Sequence, residues 1–203
     1  MLLEGRVGPQ TLADGATREL RLGRTGAGVV TDAHGRYYEA AARGRLFMAH
    51  AIVTAPVIWS TAAGTGGPLV WNGSTTHNVN ILAMSAVITT ASGVAGALGL
   101  TGNTGQVSAP GTTTAIDSRA NLLIGGAASG ATPYRVGTVT NAGGFFLPVI
   151  PIGTNAVTAQ IPTWVDLGGI LTIPPNCWAS VAGSATLTSL VAQIGLLYEE
   201  IPV

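Results

Sequence analysis

This sequence predicts an all-β sandwich or barrel behind an extended N-terminal arm, and three observations predict it. From Leu46 onward, short apolar runs with strand-like alternation recur at roughly ten-residue spacing. Glycine (29 residues) and scattered prolines supply turn chemistry between them, and no convincing amphipathic helix intervenes. Charge is also confined to the two ends. Seven of the nine arginines (Arg6, Arg18, Arg21, Arg24, Arg36, Arg43, Arg45) and five of the nine acids lie in the first 45 residues, and Glu199 and Glu200 close the chain. Between Leu46 and Tyr198 only Asp117, Arg119, Arg135 and Asp166 carry charge at neutral pH, with His50 and His77 beside them.

Residues 1–45 read as the arm. Leu20-Arg21-Leu22 and Val29-Val30 are short extended pieces broken by Gly23, Gly26 and Gly28. Tyr37 to Arg43 has the composition for one or two helical turns, too few to be stable alone. Residues 46–203 read as the β domain. Phe47–Thr54 is the first strand. Leu69–Trp71 runs into Asn72-Gly73, the strongest short hairpin signal in the chain. Val79–Thr90 alternates, which predicts Val79, Ile81, Ala83, Ser85 and Val87 on one face. Further strands are expected at Asn121–Ile124, Tyr134–Thr140, Phe145–Ile150, Ala156–Ile161, Gly169–Ile173, Cys177–Val181 and Leu190–Glu199. Gly125-Gly126, Gly143-Gly144, Pro148, Pro151 and Pro174-Pro175 punctuate them.

The N-terminus lacks an apolar core after a basic start, so no secretory signal is read there. Ile81–Leu100 is uncharged and long enough to cross a bilayer, with small residues at Gly93, Gly96 and Gly99. Thr89-Thr90-Ala91-Ser92-Gly93 interrupts it with turn chemistry, and its flanks lack the usual anchors, so no membrane partner is expected.

Catalytic chemistry finds little to work with. No Gly-x-Ser-x-Gly elbow is present, and His34, His50 and His77 are scattered among few acids. Asp117 and Asp166 are the one candidate carboxylate pair for glycoside hydrolysis, but a turn residue and an ion pair of Asp117 with Arg119 explain them more simply. Metal ligands do not cluster, no cofactor motif is present, and the single cysteine, Cys177, reads as a buried, inert thiol. Gly99-Leu-Thr-Gly102-Asn-Thr-Gly105 lacks the Lys-Ser/Thr of a phosphate loop and reads as a flexible hairpin tip. Asn72-Gly-Ser74 spells an acceptor sequon that the turn already explains. Seven arginines against five acids leave the arm about +2, too little for nucleic-acid binding to rest on phosphate contacts. Arginine without any lysine fits protein–protein pairing, where the planar fork holds carboxylates and stacks on tyrosines.

The segment Leu22-Gly-Arg-Thr-Gly-Ala-Gly-Val-Val-Thr-Asp-Ala-His-Gly-Arg-Tyr-Tyr-Glu39 resembles the start of structural proteins of tailed-bacteriophage virions, in which a short arm precedes an all-β domain, often a jelly roll. The closing stretch Ile173-Pro-Pro-Asn to Pro202 is similar to the last strands of such domains. The resemblance implies a jelly-roll-like β-sandwich and a head decoration (cement) protein. On that reading the subunit is a homotrimer in the virion that binds the major capsid protein. It implies no catalytic residues. Docking is then expected at Arg21, Arg24, His34, Arg36, Tyr37, Tyr38, Glu39 and Arg43. The alternative is a neck, tail or fibre component whose sandwich binds host glycan; an exposed tryptophan cluster on one sheet face would favour it, and Trp59, Trp71, Trp164 and Trp178 are too dispersed in sequence to decide.

Overall fold

The structure is a computed structural model that describes residues 37–56, 58–61, 67–104, 114–115, 121–136, 143–154 and 162–203. It begins with a short helix, α1 (Tyr38–Ala42), followed by ten strands: β1 (Leu46–Thr54), β2 (Leu69–Asn72), β3 (His77–Thr90), β4 (Gly96–Asn103), β5 (Thr114–Ala115), β6 (Thr132–Val136), β7 (Phe145–Ile152), β8 (Thr163–Ile173), β9 (Cys177–Gly183) and β10 (Val191–Pro202). The β domain and the segment leading into it form one compact unit over Glu39–Val203.

Two antiparallel sheets make the sandwich. One has the order β1-β10-β3-β8, the other β5-β6-β2-β9-β4-β7. Setting β5 and β6 aside leaves eight strands, of which the first, eighth, third and sixth form one sheet and the second, seventh, fourth and fifth the other. That interleaving is a jelly roll. The β5–β6 pair is an insertion between β4 and β7 that extends the second sheet past β2. The all-β, jelly-roll-like sandwich expected from the sequence is therefore the fold observed.

The core lies between the sheets. On β1 the pattern is strict: Phe47, Ala49, Ala51 and Val53 are buried, while His50, Ile52 and Thr54 are exposed. Ile194, Leu196 and Tyr198 of β10 face the same core, with Leu98 and Leu100 of β4, Ile150 and Ile152 of β7, and Cys177, Ala179 and Val181 of β9. Strand β9 is buried along its whole length because the opposite face of its sheet carries a second cluster of Leu69, Tyr134 and Trp178, with Trp71 against it. Each fully buried Leu or Ile contributes on the order of 1.5–3 kcal/mol.

Several local expectations are corrected. The alternation of β3 does not hold over its length, because the β3–β8 and β3–β10 ladders shift register around Leu82. Val79 and Ile81 face the core before the bulge, and Met84 and Ala86 face it afterwards. One inserted residue moves every later side chain to the opposite face, so Ala83, Ser85 and Val87 leave the face they were expected to share. Asn72-Gly73 is not a hairpin turn. Strand β2 pairs with β6 and β9, and β3 belongs to the other sheet, so the chain here turns a corner between sheets. The Asn72 side chain holds that corner, with its Nδ2 donating to His77 O (2.8 Å) and Ile173 O (2.9 Å) and its Oδ1 accepting from Ser74 N (3.1 Å).

Gly99 and Gly102 are not in a flexible tip but in β4, an interior strand between β9 and β7 that sequence reasoning missed. A Cβ on Gly99 would sit 2.2 Å from Leu147 O, and one on Gly102 would sit 2.5 Å from Trp178 O. The glycines let neighbouring backbones approach, while the rings of Phe146 and Phe145 lie over the space their side chains vacate. Ile81–Leu100 is thus parts of two strands joined by a turn, and among the described residues no helix is long and apolar enough to cross a membrane. Asn121–Ile124 is not a strand: Asn121 makes an isolated bridge to Phe47, and residues 122–125 turn. β8 begins at Thr163, earlier than the expected Gly169. The expected pieces at Leu20–Leu22, Val29-Val30 and Ala156–Ile161, and the end of the strand expected at Tyr134–Thr140, lie outside the described residues.

Candidate functional site

Of the residues expected to dock a partner, Arg21, Arg24, His34 and Arg36 lie outside the described residues. Tyr37 is half-buried, Tyr38 is 48% exposed at the first position of α1, and Glu39 follows it in the helix. Arg43 is exposed just past the helix end.

The local sequence explains why the chain stops turning here. Ala40-Ala41-Ala42 favours helix, and Gly44 then adopts φ +67°, the left-handed conformation that ends a helix. Gly44 N donates to Ala41 O and Arg45 N to Ala40 O, both at 2.9 Å. This pair of bonds satisfies the last carbonyls and redirects the chain into β1. The β10 strand then takes over, with Glu200 N donating to Arg45 O at 3.0 Å.

A loop the sequence reading took for a strand packs against this junction. Asn121 Nδ2 donates to Gly44 O (2.8 Å) and Ala127 O (2.9 Å), its Oδ1 accepts from Leu123 N (2.8 Å), and Leu122 N donates to Leu46 O (2.8 Å). The asparagine therefore builds the turn itself, using its side chain as a mimic of backbone. The turn presents three consecutive apolar residues to solvent: Leu122 at 45%, Leu123 at 41% and Ile124 at 98% exposure. The signal in the sequence was Asn121 at one end of the apolar run and Gly125-Gly126 at the other, which is turn punctuation around a run too short to span a sheet.

The same loop is anchored further along by a buried polar cluster. Glu200 is 7% exposed, and its Oε1 accepts from Ser129 Oγ (2.5 Å) and Ala131 N (2.9 Å). Tyr198 OH donates to Ser129 Oγ at 3.0 Å, and its ring stacks on Phe47 at 5.5 Å between centroids. Burial pushes the Tyr198 hydroxyl well above the ordinary tyrosine range; the Ser129 bond opposes this and the Glu200 charge adds to it. The arrangement ties the loop to β10 through a chain of hydrogen bonds.

An apolar cleft of about 260 Å³ opens at one end of the sandwich, where Leu171, Thr172 and Ile173 of β8 face Phe145 of β7 and Cys177 of β9. Burial raises the Cys177 thiol above its usual range, which keeps it protonated and unreactive. Among the described residues no group of three or more His, Cys, Asp or Glu is placed to hold a metal. Asp166 Oδ1 accepts from Gly168 N, and Asp117 and Arg119 lie outside the described residues. The tryptophans do not gather into one exposed platform. Trp59 stacks on Phe146, Trp71 pairs across from the buried Trp178, and Trp164 alone is strongly exposed, at 53%. No protein-family model, curated protein or solved structure matches this chain.

Proposed function

We propose that this chain is a structural subunit of a tailed-bacteriophage virion, a decoration protein that binds the major capsid protein as a homotrimer and acts without cofactor or catalysis. The observation that carries the reading is the partition of charge, with an arginine-bearing arm ahead of a 158-residue domain that holds six of the eighteen charged residues. A free monomer keeps roughly a quarter of its residues charged to stay soluble, so a surface this neutral is one that other chains cover. The jelly roll supports the reading as a rigid carrier. The solvent-facing Leu122, Leu123 and Ile124 support it as apolar contacts anchored at the start of the domain. Stabilisation then works by mass action: a subunit that binds only the mature shell raises that shell's stability at every occupied site.

The test is decoration of purified particles by full-length protein and by a variant lacking residues 1–36. That cut spares α1 and the Gly44–Asn121 bond, so the β domain stays folded. Electron microscopy should show the full chain at three-fold positions and none of the truncated one. Wild-type occupancy by the truncated chain would place docking in residues 37–203, outside the deleted part of the arm, and no occupancy by either would remove the capsid reading.

A further inference from the structure

We propose that Ile124, at the tip of the apolar loop, inserts into the apolar cleft of a second copy of this chain, and that this contact repeats around a ring of three. The two features lie at one level of the sandwich. The register of the first sheet runs Leu46–Glu199–Asn80–Thr172 in a single row across β1, β10, β3 and β8. Leu122 N is bonded to Leu46 O at one end of that row, and Thr172 lines the cleft at the other. Three strand spacings separate the two ends by about 14 Å, on opposite flanks of the sheet.

The tip is held ready. Asn121 bonds Gly44 O, Ala127 O and Leu123 N, and Gly126 N donates to Leu123 O at 2.7 Å, so the turn is closed from within and tied to the domain. Gly125 follows with φ +85°, and a Cβ there would meet no atom within 4 Å. Ile124 is left 98% exposed beside that open space. A preorganised apolar tip loses little freedom on binding, so most of the gain from its burial appears as affinity.

The cleft offers the matching surface. Phe145, Leu171, Ile173, Pro174 and Ala179 give it apolar walls, and it is open to solvent. An apolar cavity of about 150 Å³ already accepts a benzene-sized molecule. At about 260 Å³ this one takes a branched aliphatic side chain with room for part of a second.

What selects a second copy as the occupant is the common level of tip and cleft. A foreign partner would have to bring an apolar tip of its own, whereas every copy of this chain carries one on the flank opposite its cleft, in the same row of the sheet. Tip and cleft are different surfaces, so the contact is heterologous and repeats either into a ring or into a filament. A tip and a cleft at one level add no rise along the strands, so successive copies return to the first instead of climbing away. Three copies then bury three tips in three clefts and leave none over. The inference rests on the homotrimer of the proposed function, for which it names the contact, and it leaves the arm for the capsid.

The test is sedimentation of purified full-length protein, whose parent form should be a trimer. Ile124→Asp removes the apolar tip and Phe145→Asp puts a charge in the cleft. Each should weaken self-association about tenfold or more per contact and leave monomers with the circular dichroism of the parent. Because the contact joins unlike surfaces, mixing the two variants restores one contact: the intact tip of the Phe145→Asp subunit enters the intact cleft of the Ile124→Asp subunit. The mixture should give a dimer of one of each and no trimer. Thr172→Lys, exposed on the cleft rim, takes the place of Phe145→Asp if that variant loses its strand spectrum. A monomeric parent overturns the homotrimer and this contact together. A trimeric parent whose Ile124→Asp variant stays trimeric, or a mixture that gives no dimer, overturns the contact and leaves the homotrimer standing.

Discussion

A glycine inside a strand normally weakens it, yet Gly99 is required where it stands. Leu147 O occupies the space any Cβ would need, at 2.2 Å. Gly99→Ala should therefore destabilise the domain by about 1–3 kcal/mol, while Gly153→Ala, which would meet no atom within 4 Å, should stay within about 0.5 kcal/mol. Urea unfolding of the two variants compares them directly. Tyr198 makes a second residue-scale prediction, concerning pH. Its folded-state pKa lies above the ordinary value of 10.0, so the folded state keeps a proton that the unfolded state releases. That contribution is complete below pH 10 and is lost as pH rises beyond it. Stability should fall above pH 10, and Tyr198→Phe, which lacks the ionisable group, should fall less steeply; equal slopes in alkaline unfolding curves would contradict this. At neutral pH the same substitution should cost about 0.5–1.5 kcal/mol for the lost bond to Ser129.

Elements behave as units here because of a few phase-setting positions. Leu82 is the extra residue that lets one strand serve the core with odd residues in its first part and even residues in its second. Deleting Leu82 removes the extra residue and leaves Val79, Ile81, Met84 and Ala86 at two-residue spacing on one face, so the variant should still fold. Loss of the cooperative unfolding transition in that deletion variant would disprove the account. The loop of Leu122–Ile124 makes a prediction of its own. Its apolar side chains contribute little to the core, so Ile124→Asp should change the stability of the single subunit by less than about 0.5 kcal/mol in thermal unfolding. The strand content of β1, β2, β7, β9 and β10 was legible in the sequence because each pairs an apolar run with turn punctuation. β4 was not, because glycine counts against a strand unless a neighbouring backbone occupies the space. Asn121–Ile124 misled for the converse reason: its apolar residues satisfy a strand pattern, but Asn121 spends its side chain closing a turn.

At the scale of the whole molecule, the β-rich class, the turn-dense connections and the separation of a charged arm from a neutral body follow from the order of residues alone. They depend on local chemistry: alternation, glycine and proline, and where ionisable groups fall. Which strands become neighbours was not legible. Asn72-Gly73 joins strands of different sheets, although as a dipeptide it signals a hairpin, because Asn72 finds Ile173 O across the sandwich, 101 residues away. Of the expected docking residues, the structure describes the helical turn that carries Tyr38 and Glu39 and the glycine stop after Arg43. It adds two features that pattern reading had no means to see. The apolar loop reaches the junction through Asn121, 77 residues from Gly44, and through Leu122 N on Leu46 O. β1 is the end strand of its sheet because β10, the last strand of the chain, lies between it and β3. Alternation specifies which side chains face in, since that depends on a strand's own period. Which strand ends a sheet depends on where the last strand of the chain comes to lie, and only the tertiary structure decides that.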